Sequence, residues 1–143
     1  MRSIDTRNFG TVQVDESEVI RFEEGIPGFE DVKEFVVLGN ESDAMFFWLQ
    51  SVDGSDVSMI VADPFRLHPE YAVDIEDPDI TALGITDPGQ LLTLCVVVIP
   101  QDIRQMRANL NAPIFINIQT NKGKQIVQDN PDLPLRFFLA KED

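Results

Sequence analysis

The side chains in this sequence that are best suited to chemistry are carboxylates, and they are concentrated in one stretch of the chain. Between Lys33 and Arg104 there are thirteen Asp and Glu residues but a single basic residue, Arg66, so this stretch supplies −12 of the formal charge of −14. Such a charge distribution repels nucleic acid and anionic lipid and attracts a basic partner. A merely solvated acidic face fits the same composition, and the charge pattern alone leaves both interpretations open.

Few other side chains could support catalysis. The chain has one histidine, His68, and one cysteine, Cys95, whereas nucleophilic catalysis needs a base held beside the nucleophile. His68 follows the turn at Pro64 and is interpreted as an exposed loop side chain. Cys95 lies in a long apolar run and is interpreted as a buried thiol. No glycine run has the spacing of a phosphate-binding loop. The sequence therefore predicts a binding protein that has no catalytic residues and no cofactor.

Oxygen ligands for a metal ion are present but incomplete. Zinc is disfavoured because it takes Cys and His ligands, of which the chain has one each. Calcium takes about six to eight oxygens, and residues 53–56 and 74–79 each supply only part of such a set. Two acids anywhere in the chain could also converge for glycoside hydrolysis. The alternative to a protein-binding module is therefore an acidic carbohydrate- or calcium-binding β-sandwich.

Short strands separated by Pro and Gly dominate the pattern. A helical turn is predicted at 77–84, with Asp77 as the N-cap and Gly84 as the stop; a further turn is predicted at 102–106. The absence of strand–helix alternation indicates an all-β fold: an antiparallel sandwich or partly open barrel of about nine to ten short strands with one or two single-turn helices. The predicted strands are 11–15, 19–22, 35–38, 44–51, 57–63, 71–76, 91–99, 114–119, 125–128 and 133–139.

The length and composition fit one domain spanning residues 1–143. No stretch approaches the roughly 20 apolar residues of a membrane span, and the N-terminus lacks the apolar core of a signal peptide. We therefore expect a cytoplasmic monomer without membrane or direct nucleic-acid contacts.

Several segments, taken in order, resemble one known family. They are Phe22–Glu30 (FEEGIPGFE), Phe47–Ser51 (FWLQS), Asp63–Phe65 (DPF) with Tyr71 shortly after, Ala108–Asn117 (ANLNAPIFIN) and Gln125–Val127 (QIV). This order and spacing is similar to that of the flagellar assembly factor FliW family, over essentially the whole chain. Each motif alone is short, and the resemblance depends on all five occurring in register.

The resemblance implies a bacterial, cytoplasmic, non-enzymatic protein with a β-barrel-like fold. FliW-type proteins bind CsrA, a small RNA-binding translational repressor, and so relieve repression of flagellin messenger RNA. They also bind unassembled flagellin, and the two partners act against each other as a switch. An RNA-binding repressor presents basic surface, which would give the acidic stretch a physical role.

The residues predicted to meet the repressor come from charge and strand alternation. In the strand predicted at 71–76, odd-numbered residues share one face and the acids Asp74 and Glu76 share the other. Gln128 departs from the resemblance, because an apolar residue is expected after Gln-Ile-Val, and it leaves the register of the last strand pair in doubt. The predicted contact residues are Tyr71, Asp74, Glu76, Asp77 and Asp79, with Asp53 and Asp56 as second choice.

Overall fold

A computed structural model describes residues 1–39 and 44–139. There are two short helices, α1 (Pro64–Leu67) and α2 (Asp77–Leu83), and 3-10 turns at Glu16–Glu18, Pro88–Gln90 and Ile103–Gln105. No helix among the described residues is long and apolar enough to cross a membrane. The strands are β1 (Arg2–Thr6), β2 (Gly10–Val14), β3 (Ile20–Arg21), β4 (Glu34–Leu38), β5 (Phe46–Ser51), β6 (Ser58–Ala62), β7 (Leu91–Val98), β8 (Arg107–Ala108), β9 (Ile114–Asn117), β10 (Lys122–Gln125) and β11 (Phe137–Phe138).

The main sheet closes on itself. Strand β7 pairs with β6 along one edge and with β9 along the other, and the sheet runs in the order β7-β6-β5-β4-β3-β10-β9 before returning to β7. A ring of seven strands cannot be antiparallel throughout, since the strand direction would not match at closure. The mismatch falls between β3 and β10, which pair in parallel through a single register position. The prediction of an all-β fold is confirmed; of the two predicted architectures, an antiparallel sandwich or a partly open barrel, the structure has a barrel, which is closed and antiparallel except at the single β3–β10 pairing.

Because side chains alternate along the strands, one face of the sheet fills the barrel and the other contributes to two cores outside it. In β4, Phe35 and Val37 face the interior while Val36 and Leu38 pack outside, under the hairpin of β1 and β2. In β7, Leu94 faces the interior, and Cys95 contributes to an outer core with Tyr71. The prediction that the run at 91–99 is covered on both faces is therefore confirmed for residues 93–97 but wrong for Leu92, Val98 and Ile99, which are exposed. The buried interior cluster is made of large apolar side chains, as in a small barrel that its own side chains fill.

Two predicted strands are not where the sequence pattern placed them. Residues 71–76 are extended but pair with no strand, although their burial alternates as predicted, with Tyr71 buried and Asp74 and Glu76 exposed. The strand predicted at 125–128 begins earlier, because the β9–β10 turn lies at 118–121 and Asn121 adopts the positive φ of 56° that the turn requires.

Gly123 explains part of the error in the predicted start of β10. We predicted that it would lie in a turn, but it is a strand residue, and a β-carbon there would lie 2.6 Å from the ring of buried Phe22. The glycine is therefore required by close packing inside the barrel rather than by the turn. The helical prediction also needs one correction: Glu76, not Asp77, is the N-cap of α2, and α2 ends at Gly84 (φ 68°) as predicted.

Candidate functional site

The carboxylates predicted from alternation meet at a recess on the outside of the barrel. This acidic recess is a cavity of about 360 Å³ lined by Ala72, Asp74, Glu76, Asp79 and residues 126–130. One wall is the extended segment 71–76 with the start of α2, and the other is the chain that follows β10. The segment 71–76 and the helix start therefore bring three of the predicted acids to one place.

Tyr71 is buried beneath the first wall, the segment 71–76, and fixes it to the barrel. Its ring is 5 % exposed and lies edge-on to Phe65, with 5.5 Å between the ring centroids. Its hydroxyl donates a 2.7 Å hydrogen bond to the carbonyl of Leu110, and burial raises the pKa of the phenol. We predicted that Tyr71 would be exposed to a partner, and this is wrong: the odd-numbered face of the segment packs into the outer core. Tyr71 positions the acids and does not share their surface.

Gln128 holds the second wall to the first. Its side chain is 7 % exposed, and its Oε1 accepts a 2.9 Å hydrogen bond from the backbone N–H of Asp74. Its backbone N–H donates to the carbonyl of Asn111 at 2.7 Å. The side-chain Nε2 is buried and has no acceptor among the described residues. The polar residue that departed from the family pattern is thus the one that fixes the recess, a role the sequence pattern did not reveal.

The start of α2 supplies the third carboxylate, Asp79, and β10 supplies its counter-charge, Lys124. The ammonium of Lys124 donates a 2.6 Å hydrogen bond to Asp79 and lies 3.4 Å from Glu24. This hydrogen bond raises the pKa of Lys124, so the ammonium stays charged at neutral pH. Asp79 is therefore partly neutralised, while Asp74 and Glu76 form no ion pair among the described residues. Asp77 is exposed in the first turn of α2 but does not line the recess.

Asp53 and Asp56 belong to a different place on the molecule. They line a second cavity of about 380 Å³ between β1 and the β5–β6 turn. Asp53 accepts hydrogen bonds from the hydroxyl and the N–H of Ser55, and the first of these most strongly lowers the pKa of Asp53. Asp56 has a positive φ of 53° and lies 3.7 Å from Arg7. Both acids therefore shape a turn, and neither joins the acidic recess.

The described residues give no support to a metal site or to Cys95 as a nucleophile. In residues 1–39 and 44–139, no group of three or more His, Cys, Asp or Glu side chains is arranged to hold a metal ion. Cys95 is buried, and burial raises the pKa of its thiol to about 12. The thiol is therefore protonated at neutral pH and is a poor nucleophile.

The fold and this site define a class of protein: a barrel with an apolar side-chain core and with carboxylates gathered in a recess on its outer surface. The family model described as "FliW protein" matches residues 3–139. The chain belongs to the FliW family, as the motifs in the sequence indicated.

Known relatives and a solved structure agree with this assignment. The flagellar assembly factor FliW of Thermoanaerobacter pseudethanolicus is 44 % identical over 140 residues, covering 97 % of this chain and 93 % of the relative. That of Caldicellulosiruptor bescii is 42 % identical over 136 residues, covering 95 % and 89 %. A crystal structure of the flagellar assembly factor FliW superposes with a TM-score of 0.88 at 32 % identity, covering 97 % of both chains.

Proposed function

We propose that this chain is a cytoplasmic, non-enzymatic protein-binding switch in flagellar assembly. One partner is CsrA, the RNA-binding translational repressor, whose capture relieves repression of flagellin translation. The other partner is unassembled flagellin, and each partner weakens the binding of the other. The observation that carries the proposal is the acidic recess, in which Asp74 and Glu76 project from a segment fixed to the barrel, and which suits the basic surface of an RNA-binding protein.

The chemistry of the recess supports a cationic ligand. Cationic side chains of a partner would pair with Asp74 and Glu76, which have no counter-ion among the described residues. The Nε2 of Gln128 is buried and out of reach of a docking partner, so the exposed carboxylates carry the proposed recognition.

Electrostatics sets the expected salt dependence. At physiological ionic strength charges are screened beyond about 8 Å, so the acidic stretch would accelerate association while close contacts set the lifetime of the complex. Because the net charge is −14, generic attraction to any basic protein must be separated from binding at the recess. The test therefore needs variants with equal charge and different location.

The first prediction concerns reversal of two acids that line the recess, Asp74 and Glu76, together with the adjacent exposed Asp77. Changing Asp74, Glu76 and Asp77 together to Lys should weaken binding of purified CsrA at least about tenfold, about 1.4 kcal/mol, and flatten its salt dependence. Stability should change little, because all three side chains are exposed. Calorimetric titration at two salt concentrations measures both effects, and its repetition with flagellin present tests the switch.

The matched control is reversal of three exposed acids outside the recess. Glu23, Asp31 and Glu70 carry the same total charge and are exposed; the exposed pair of Glu23 with Arg21 contributes little to stability. This control should bind CsrA within about threefold of the original chain. Equal loss in both variants would mean that net charge, and not the recess, attracts the repressor. Failure of the unmodified chain to bind CsrA would overturn this part of the proposed function.

A further inference from the structure

A second surface, with chemistry opposite to that of the acidic recess, lies at one end of the barrel. This barrel-mouth groove is an open cavity of about 330 Å³. Its floor consists of Ile26, Met59 and Val96, which also belong to or pack against the barrel core. The groove is therefore an opening into the main apolar core and not a shallow surface dimple.

Apolar side chains that extend into solvent line the rim of the groove. Phe29 is 43 % exposed, Val98 is 44 % exposed and Leu135 is 64 % exposed. Phe29 is held by a rigid loop: it pairs with Ile26 in an isolated bridge, and a β-carbon at Gly25 would meet the backbone of Glu30 at 2.5 Å. Exposed apolar side chains collected at one concave place are typical of a surface that binds another chain.

The charged residues of the groove are arginines. Arg107 and Arg136 both line it, and no carboxylate lines it among the described residues. Strand β11 pairs with β8 so that Phe137 is opposite Ala108 and Phe138 is opposite Arg107. Extended by one position, this register places Arg136 opposite Asn109 and therefore diagonal to Arg107 on the same face. In the described residues neither arginine forms an ion pair, whereas Arg2, Arg21 and Arg104 each do.

We propose that the barrel-mouth groove binds an apolar segment of another protein that carries at least one carboxylate. Apolar side chains would cover the floor and rim, and the carboxylate would pair with Arg107 and Arg136. Elsewhere the net charge of −14 repels such a segment, so the two guanidinium groups select this site. The inference goes beyond the proposed function by giving the second partner a surface of its own, and it rests on that function only for the identity of the partner.

The test uses two fluorescent synthetic peptides with identical Leu and Phe positions, one with Glu and one with Lys at all polar positions. The full-length chain should bind the Glu peptide, and Arg107→Glu with Arg136→Glu should weaken that binding at least tenfold in fluorescence anisotropy. Arg104→Glu, which changes an exposed arginine outside the groove, should change binding less than twofold. Circular dichroism confirms that each variant is folded.

A second pair of variants tests the apolar contacts of the barrel-mouth groove. Leu135→Ser should weaken binding of the Glu peptide at least threefold, while Val127→Ser, at an exposed valine of the acidic recess, should not. The Lys peptide is expected to bind the acidic recess, so Leu135→Ser should leave its binding unchanged. Equal weakening of both peptides by Leu135→Ser, or equal binding of the Glu peptide by the original chain and the Arg107→Glu, Arg136→Glu variant, would overturn the proposal. Self-association in sedimentation experiments that this variant abolishes would also overturn it and assign the groove to a second copy of the chain.

Titration with purified flagellin keeps the two proposals distinguishable. If flagellin fails to bind the unmodified chain while the Glu peptide still binds the groove, the proposed function loses this partner but the groove inference stands. If flagellin binds and the arginine variant binds it equally well, the groove inference fails and the proposed function stands.

Discussion

At the scale of single residues, Gly123 shows how a composition signal can mislead. In the sequence it lies between two lysines and was predicted to be in a turn. In the structure it is a strand residue beneath Phe22, and its φ is not positive, so close packing and not backbone freedom requires a glycine. Nothing local in the sequence identifies the ring that lies above it, because Phe22 is about one hundred residues away along the chain.

The packing of Gly123 leads to a stability prediction. Gly123→Ala should destabilise the protein by about 1–3 kcal/mol, the usual cost of overpacking a core, because the new methyl group would lie within 2.6–2.9 Å of three ring atoms of Phe22. Gly89→Ala is the control, since its nearest neighbour there would be 3.5 Å away, and it should change stability by less than about 0.5 kcal/mol. Urea unfolding measures both, and equal stability of the two variants would contradict this account.

At the scale of elements, the sequence predicted side-chain faces better than it predicted strand pairing. The alternating faces of residues 71–76 were predicted correctly, because burial on alternate sides is a local property of extended chain. Whether an extended segment finds a strand partner depends on the whole barrel, and residues 71–76 find none. The acids Asp74 and Glu76 were therefore placed correctly on a solvent face, although the strand predicted for them does not exist.

An extended segment without strand pairing must be held by side chains, and this leads to a prediction for Gln128. Gln128→Leu keeps the buried volume but leaves the N–H of Asp74 without its acceptor. It should cost about 0.5–1.5 kcal/mol in urea unfolding, the usual net contribution of one hydrogen bond, and speed amide hydrogen exchange at Asp74. Gln101→Leu, at an exposed glutamine, is the control. Unchanged exchange at Asp74 would mean that Tyr71 alone holds the segment.

At the scale of the whole molecule, the two candidate surfaces share one stretch of chain. Gln125, the last residue of β10, lines the barrel-mouth groove, while residues 126–130 line the acidic recess. The sequence predicted the acidic surface from its charge. It could not reveal the groove, because the lining residues come from six separate parts of the chain that only the closed barrel brings together.

This shared stretch makes the coupling between the partners testable. If flagellin binds the groove and CsrA binds the recess, each must lower the affinity for the other by the same factor. Arg107→Glu with Arg136→Glu should therefore leave CsrA affinity within about twofold but remove the effect of added flagellin on the CsrA titration. Reversal of Asp74, Glu76 and Asp77 should do the converse: it should weaken the affinity for CsrA and leave the affinity for flagellin unchanged. The arginine variant could instead lose binding of both partners while circular dichroism shows that it is folded. The two partners would then compete for one surface, and no coupling through residues 125–130 would be needed.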